Sequence, residues 1–372
     1  ALTGLSYAEL AGMFPSAGAE YAFARHAFNE FSGFITGWLM ISANIIAAAA
    51  VSIGFAHYVQ HFSDVNLHVS AAALIFALTA IIAGGLHRSI WLSVVLVVLQ
   101  AGGLLLVIAA GAPHFGDRSL TEGASVAGVW GAAALIFFAF IGFDEIVTLS
   151  EETRDASRTI LRALLLALGI STVLYVLVAI ASVSVIGADR LGDSDTPLTL
   201  VMAHNWGDGA GDIVAVIALA STTNTTLLVL TAASRLMFGM SRDHSLPVVF
   251  SRLTPGGRAP WVTAGLAGAA ALGFTLIGDI RLVASATDFA VYAIFIVVNG
   301  ALIALRFRAP EAARTFSTPF AIARVPVLPV MGIVAAALMA TQLESSAWFI
   351  GISAFALGIL AWLAMRLRSA GR

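Results

Sequence analysis

The sequence has no cysteine and no lysine, and only 11% of its residues are charged. Each shortage excludes something. Without cysteine there is no disulfide, no thiolate metal site and no thiol nucleophile. Soluble domains carry about a quarter charged residues. A chain of 372 residues with so little charge cannot cover a globule with polar surface, and it is far too apolar to be disordered. The missing lysine carries no functional content, and the net charge of −2 points to no nucleic-acid partner. HExxH, GxSxG and phosphate-loop motifs are absent too.

What is present is apolar length. Hydrophobic residues make up 59% of the chain, and its mean hydropathy is +0.95. A membrane span needs roughly 20 apolar residues. Runs of that order occupy 31–62, 69–86, 90–111, 128–149, 164–186, 213–240, 261–277, 283–305, 325–341 and 347–365. Lipid cannot satisfy an open backbone, so these runs are predicted helices. The shorter run 1–14, interrupted by Glu9, reads as the second half of a helix. Assigning the loops alternately to two sides puts Arg118, Arg190 and Arg281 on one face and the other 16 of the 19 arginines on the opposite face. The arginine-rich face is expected to be cytoplasmic. A multi-pass protein of the cell membrane follows, with a cytoplasmic C-terminus and the lipid bilayer as its surroundings.

The runs 31–62 and 213–240 exceed the bilayer thickness and are expected to tilt. They lie five spans apart and enter from opposite sides, the pattern of an inverted repeat. The segment DTPLTLVMAHNW (195–206) opens with a helix-start signal and predicts a short external helix.

The most informative run is 128–149, whose centre reads FFAFIGFDE (137–145). Gly142 permits the backbone to leave helical geometry. Asp144 and Glu145 follow at a depth where charge is costly. Two readings fit: a helix broken at Gly142 to form a substrate site, or a continuous helix with a packing glycine. The connector SEETRDASRTILRA (150–163) is either an ion-pair gate or an ordinary amphipathic link. In the run 213–240, Ser221, Thr222, Thr223, Asn224, Thr225 and Thr226 form a polar cluster. Such groups line sites, but they are equally common as packing residues. Asp288 and Asn299 are further polar groups inside a span. His57 and His61 stand one turn apart without a third ligand, so no metal site is assigned. Gly33 and Gly37 form a GxxxG pattern that glycine-rich membrane helices generate freely.

The stretch FFAFIGFDEIVTLSEETRDASRTI resembles the sixth-span signature of the amino acid–polyamine–organocation transporter superfamily, in the branch with the cationic amino acid transporters. LTGLSYAELAGMFPSAGAEY (2–21), FITGWLMISANIIAAAAVSIGF and AASRLMFGMSRDHSLP (232–247) resemble its second, third and eighth spans. The resemblance implies an all-α polytopic protein of the leucine-transporter fold. One transporter domain covers 1–372, with a partial first repeat (1–111), a second repeat (128–305) and two extra C-terminal spans (325–365). The first span and about half of the second lie outside this sequence.

It further implies a secondary active amino acid permease, not an enzyme, working by alternating access without a cofactor. The carbonyls of Phe138, Ala139 and Ile141 would accept the substrate amine beside Gly142, with Phe143 as an aromatic gate. Asn44, Ser221 and Asn224 are candidate lining residues. Gln100, Asp144 and Glu145 are candidates for coupling or gating. A coupling proton or sodium ion is a candidate partner. Proton-coupled relatives carry Lys where VVLQAGGLLLVI (97–108) has Gln100, and an amide cannot titrate. Cation-accepting relatives place Glu at Ala43, so a neutral or small amino acid is the favoured substrate. An amino acid/polyamine exchanger, a receptor and a membrane enzyme are the competing readings.

Overall fold

The computed structural model describes residues 2–14, 18–85, 90–121, 125–143, 145–148, 156–254, 259–312, 314, 316–322 and 324–370. They form helices α1 (Leu2–Met13), α2 (Ala19–Ala27), α3 (Glu30–Gln60), α4 (Leu67–Ala83), α5 (Ile90–Gly111), α6 (Val126–Ile136), α7 (Glu145–Thr148), α8 (Ala156–Ile186), α9 (Ala188–Gly192), α10 (Pro197–Trp206), α11 (Asp208–Arg242), α12 (Trp261–Thr275), α13 (Ile280–Arg308), α14 (Val327–Ala340) and α15 (Ser345–Ala370). A two-residue ladder of β1 (Ala321–Ile322) against β2 (Val325–Pro326) is the small exception to the helical rule.

Helix starts follow the side chains. Asn29 accepts the Ser32 N–H at 2.9 Å to cap α3, and Asn66 accepts the His68 N–H at 2.9 Å to cap α4. Ser125 caps α6, and Asp279 takes the N–H groups of Arg281 and Leu282 to cap α13. Each side-chain oxygen satisfies donors that a helix start leaves open. Pro197 opens α10, the short helix that 195–206 predicts.

The helix α3 is the central post. It packs on α2, α4, α11, α12, α13 and α15. Of its most apolar stretch 78% is buried, against 6% for α8, so α8 is a rim helix. Its exposed Leu166, Ile170, Val173 and Val176 make the kind of apolar surface that only lipid can cover. At 31 and 35 residues, α3 and α11 run to roughly 46–53 Å and must tilt to fit. The GxxxG pair is a genuine contact. A Cβ at Gly37 would lie 2.7 Å from the Met240 sulfur, and one at Gly33 would lie 2.7 Å from the Arg25 Cβ. Small residues here let α2 and α11 approach α3 closely.

Two polar assemblies tie α1 to the end of the bundle. Glu9 is fully buried. Its carboxylate accepts from Arg306 at 2.8 Å and from the Thr318 N–H at 2.7 Å, and it pairs with Arg314 at 3.2 Å. Deeper in, Ser6 donates to Asn299 at 2.7 Å, and Asn299 donates to Thr3 and to the Phe295 carbonyl. Asn299 is thus a structural amide.

At the opposite end, His57 and His61 serve two different acids. His57 lies 3.7 Å from Asp195, and His61 lies 2.8 Å from Asp212. Among the described residues, no group of three His, Asp or Glu side chains comes together to hold a metal.

Candidate functional site

The run 128–149 is a broken helix. The helix α6 ends at Ile136, one 3₁₀ turn covers Phe137–Phe140, and Ile141 is extended at φ −65°, ψ 141°. Gly142 follows at φ +110°. A Cβ at Gly142 would meet nothing within 4 Å. Backbone conformation, not space, therefore demands glycine here. The short helix α7 resumes after it. Residue 144 lies outside the described residues, as does the Glu145 side chain. All three acids of the connector 150–163 are outside too, and α8 begins at Ala156 within it.

Side chains from other elements hold the break on two sides. On one, the Tyr292 hydroxyl of α13 donates to the Ala134 carbonyl at 2.8 Å. The Phe137 ring lies 4.9 Å from Tyr292 and 5.5 Å from Phe295. Phe143 is buried, 5.7 Å from Tyr7 and 5.6 Å from Phe295. On the other side, the Tyr175 hydroxyl of α8 donates to the Ala139 carbonyl at 3.0 Å, with its ring 5.2 Å from Phe140. Phe138 packs against an apolar cluster that α3 (Ile46, Ala49, Ala50, Ile53) and α13 (Val283, Ala286) build together. Ala139 and Gly142 are exposed, so the break is open along one edge.

The three carbonyls named as amine acceptors are not equivalent. That of Phe138 already accepts the Ile141 N–H at 3.2 Å, and that of Ala139 accepts from Tyr175. A carbonyl has two lone pairs, so each keeps one site. The carbonyl end of a half-helix carries partial negative charge, which suits an ammonium.

The remaining candidates sit elsewhere. Asn44 is buried on α3, two residues before Ile46, close to where Phe138 packs. Ser221 and Asn224 on α11 make no hydrogen bond to the broken segment among the described residues. Asn224 is buried with its amide oxygen unpaired there. The hydroxyls of Thr222, Thr223, Thr225 and Thr226 turn back onto carbonyls of their own helix, so that part of the cluster is internally satisfied. Half-buried Gln100 lies on α5. A Cβ at Gly103 would lie 2.9 Å from Ile217, and one turn further in brings Gln100 level with Ser221 across the α5–α11 seam. The clefts of about 400 Å³ beside Leu282 and Phe349 and of about 320 Å³ beside Tyr21 and Arg25 lie away from the break.

Sequence reasoning missed Tyr7, Tyr175 and Tyr292. Each is a lone polar aromatic in an apolar span, and that rarity is the one signal that marks them.

A helical bundle with long apolar spans, one interrupted at its middle and clasped on both sides, defines a polytopic membrane transporter. The sequence profile of the amino acid permease family matches residues 1–355, and the chain belongs to that family. It is 30% identical to the branched-chain amino acid permease BcaP of Bacillus subtilis, over 88% of this chain and 75% of that protein. It is 28% identical to the methylthioribose transporter of the same organism, over 89% and 75%. Cationic amino acid transporter 2, vacuolar, of Arabidopsis thaliana is 27% identical, over 83% and 53%.

Proposed function

We propose that the protein is a secondary active transporter of a neutral or small amino acid, working by alternating access, with substrate held at the break after α6. The observation that carries this reading is the break itself. It sets the partly negative end of α6 beside apolar rings and leaves Ala139 and Gly142 open. Broken spans of this kind bind charged substrate groups at the midplane of secondary transporters. In this reading the carbonyls of Phe138, Ala139 and Ile141 take the ammonium, and Phe143 closes over it. Asn44, Ser221 and Asn224 supply polar lining in the states where α3 and α11 move toward the break.

Two features favour a neutral side chain. The middle of α3 presents buried Ala43 and Asn44 and no carboxylate. The relative BcaP is named for branched-chain amino acids. Asp144 and Glu145 are assigned to the gate on the cytoplasmic side, where the C-terminus also lies. Gln100 cannot exchange a proton, so any proton coupling runs through another group.

Uptake into proteoliposomes tests the substrate class. Labelled leucine or alanine is expected to enter saturably, and arginine and methylthioribose to compete poorly. Uptake of arginine in preference to both neutral amino acids would reverse the assignment.

A further inference from the structure

Among the described residues, two acids, Glu9 and Asp288, are completely buried in the bundle, and they contrast. Glu9 is surrounded by Arg306, Arg314 and a backbone N–H, as a structural acid should be. Asp288 is equally buried, yet neither of its carboxyl oxygens has a hydrogen-bond partner among the described residues. An ionisable group placed this way inside a span is expensive to keep, and function is the usual reason.

Its position is specific. Asp288 precedes Tyr292 by four residues and Phe295 by seven, so all three share one face of α13. That face holds the break, through the Tyr292 bond to Ala134 and the Phe137 ring. Near it on α13, Val283 and Ala286 belong to the apolar cluster against which Phe138 packs. A Cβ at Gly54 would lie 3.4 Å from Ile280, and one at Gly300 would lie 3.6 Å from Phe28. The helices α13 and α3 pack together, and Asp288 lies about two turns in from the Ile280 crossing. Among the described residues, α13 thus carries both an unpaired acid and a clasp of the broken segment.

We propose that Asp288 takes up and releases the coupling proton of transport. This rests on the transporter reading above and names the group that Gln100 cannot be. A carboxylate oxygen accepts a proton from water on one side of the membrane, and the same O–H bond breaks to return it on the other. Rearrangement of the break against α13 changes what surrounds the carboxyl, and that links protonation to the substrate site.

Its electrostatic surroundings are simple. On α13, Tyr292 is one turn away and exposed Arg281 lies two turns before on the same face, while Arg306 and Arg308 are at the far end. The facing part of α3, all of α6, the turn Phe137–Phe140, β2 and α14 carry no acidic or basic residue. On α1, Tyr7 lies against Phe295 and Glu9 is held by Arg306, both turns away. On α2, Glu20, Tyr21, Arg25 and His26 lie toward the Arg308 end of α13, where Arg308 donates to the Ala27 carbonyl. Glu344 is exposed ahead of α15, whose arginines are at its far end. No oxygen-rich cage for sodium surrounds Asp288 among the described residues. Thr287, its neighbour, spends its hydroxyl on the Val283 carbonyl.

The test is leucine uptake into proteoliposomes with and without an inside-alkaline pH gradient, for wild type, Asp288→Asn, Asp288→Ser and Asp288→Glu. One proton per substrate across one pH unit supports up to about tenfold accumulation. Wild type and Asp288→Glu should accumulate leucine with the gradient. Either neutral variant that folds should lose gradient-driven accumulation and keep leucine exchange. Two neutral variants are used so that one folded protein suffices. Gradient-driven accumulation by a neutral variant at the wild-type level overturns the inference, and so does wild-type uptake indifferent to the gradient. A neutral variant that loses leucine binding while keeping gradient dependence makes Asp288 a substrate ligand, and also overturns it. Each of these results leaves the transporter reading standing, whereas a folded wild type that moves no amino acid at all would end both.

Discussion

Gly142 bears a residue-level demand that is purely conformational. At φ +110° a side chain is strained by about 1–3 kcal/mol even in open space. Gly142→Ala should therefore keep the bundle folded and lower transport at least several-fold, read as Vmax in proteoliposomes beside a thermal melt. A melt that falls while transport per folded protein holds would count against a functional break. Gln100 makes the opposite prediction. Its amide does not titrate, so Gln100→Leu should leave the dependence of uptake on the pH gradient as it is. Residue types were partly legible in advance. A glycine among aromatics beside two acids marked the break, and an amide at a lysine position marked Gln100. The Tyr7, Tyr175 and Tyr292 contacts were not legible, because they join residues far apart in sequence. Tyr292 reaches Ala134 across 158 positions, and periodicity carries no information about such pairs.

Among the elements, the apolar runs read as helices because the lipid rule leaves helix as the one solution; among the described residues six form helices long enough to cross a membrane, and the runs 69–86, 128–149, 261–277 and 325–341 form shorter ones of 10–17 residues. Boundaries moved where polar residues continue a helix past the apolar run. The helix α8 starts at Ala156, inside the connector, and α13 reaches Arg308. The threonine-rich stretch of α11 stays ambiguous in the sequence, site lining or packing, because composition cannot tell a hydroxyl facing a cavity from one bonded to its own helix. The position of α1 was illegible for another reason. It depends on Glu9 meeting Arg306, Arg314 and Thr318, three groups from the other end of the chain. Removing one partner of a buried ion pair costs about 3–5 kcal/mol. Glu9→Gln should thus lower the melting temperature markedly, and Glu9→Asp less so. An unchanged melt for Glu9→Gln would mean that α1 is held by its apolar contacts and the Ser6–Asn299 network alone.

For the whole molecule, membrane class, family and helical architecture converge from composition, geometry and relatives. Orientation rests on the arginine distribution. A reporter fused after Arg372 should be active as a cytoplasmic protein and silent as an exported one, and the reverse would invert every side assigned above. The claim that joins all scales is that an amino acid passes through the break after α6. Counterflow of labelled leucine, in proteoliposomes carrying wild type or Ala139→Leu, tests it most directly. Ala139 is exposed at the break, so a larger side chain there fills the site without disturbing the packed core. Wild type should exchange leucine, and a folded Ala139→Leu protein with an unchanged melt should show an affinity at least about tenfold weaker, the loss of roughly 1.4 kcal/mol or more. Wild-type affinity in that variant would contradict the account.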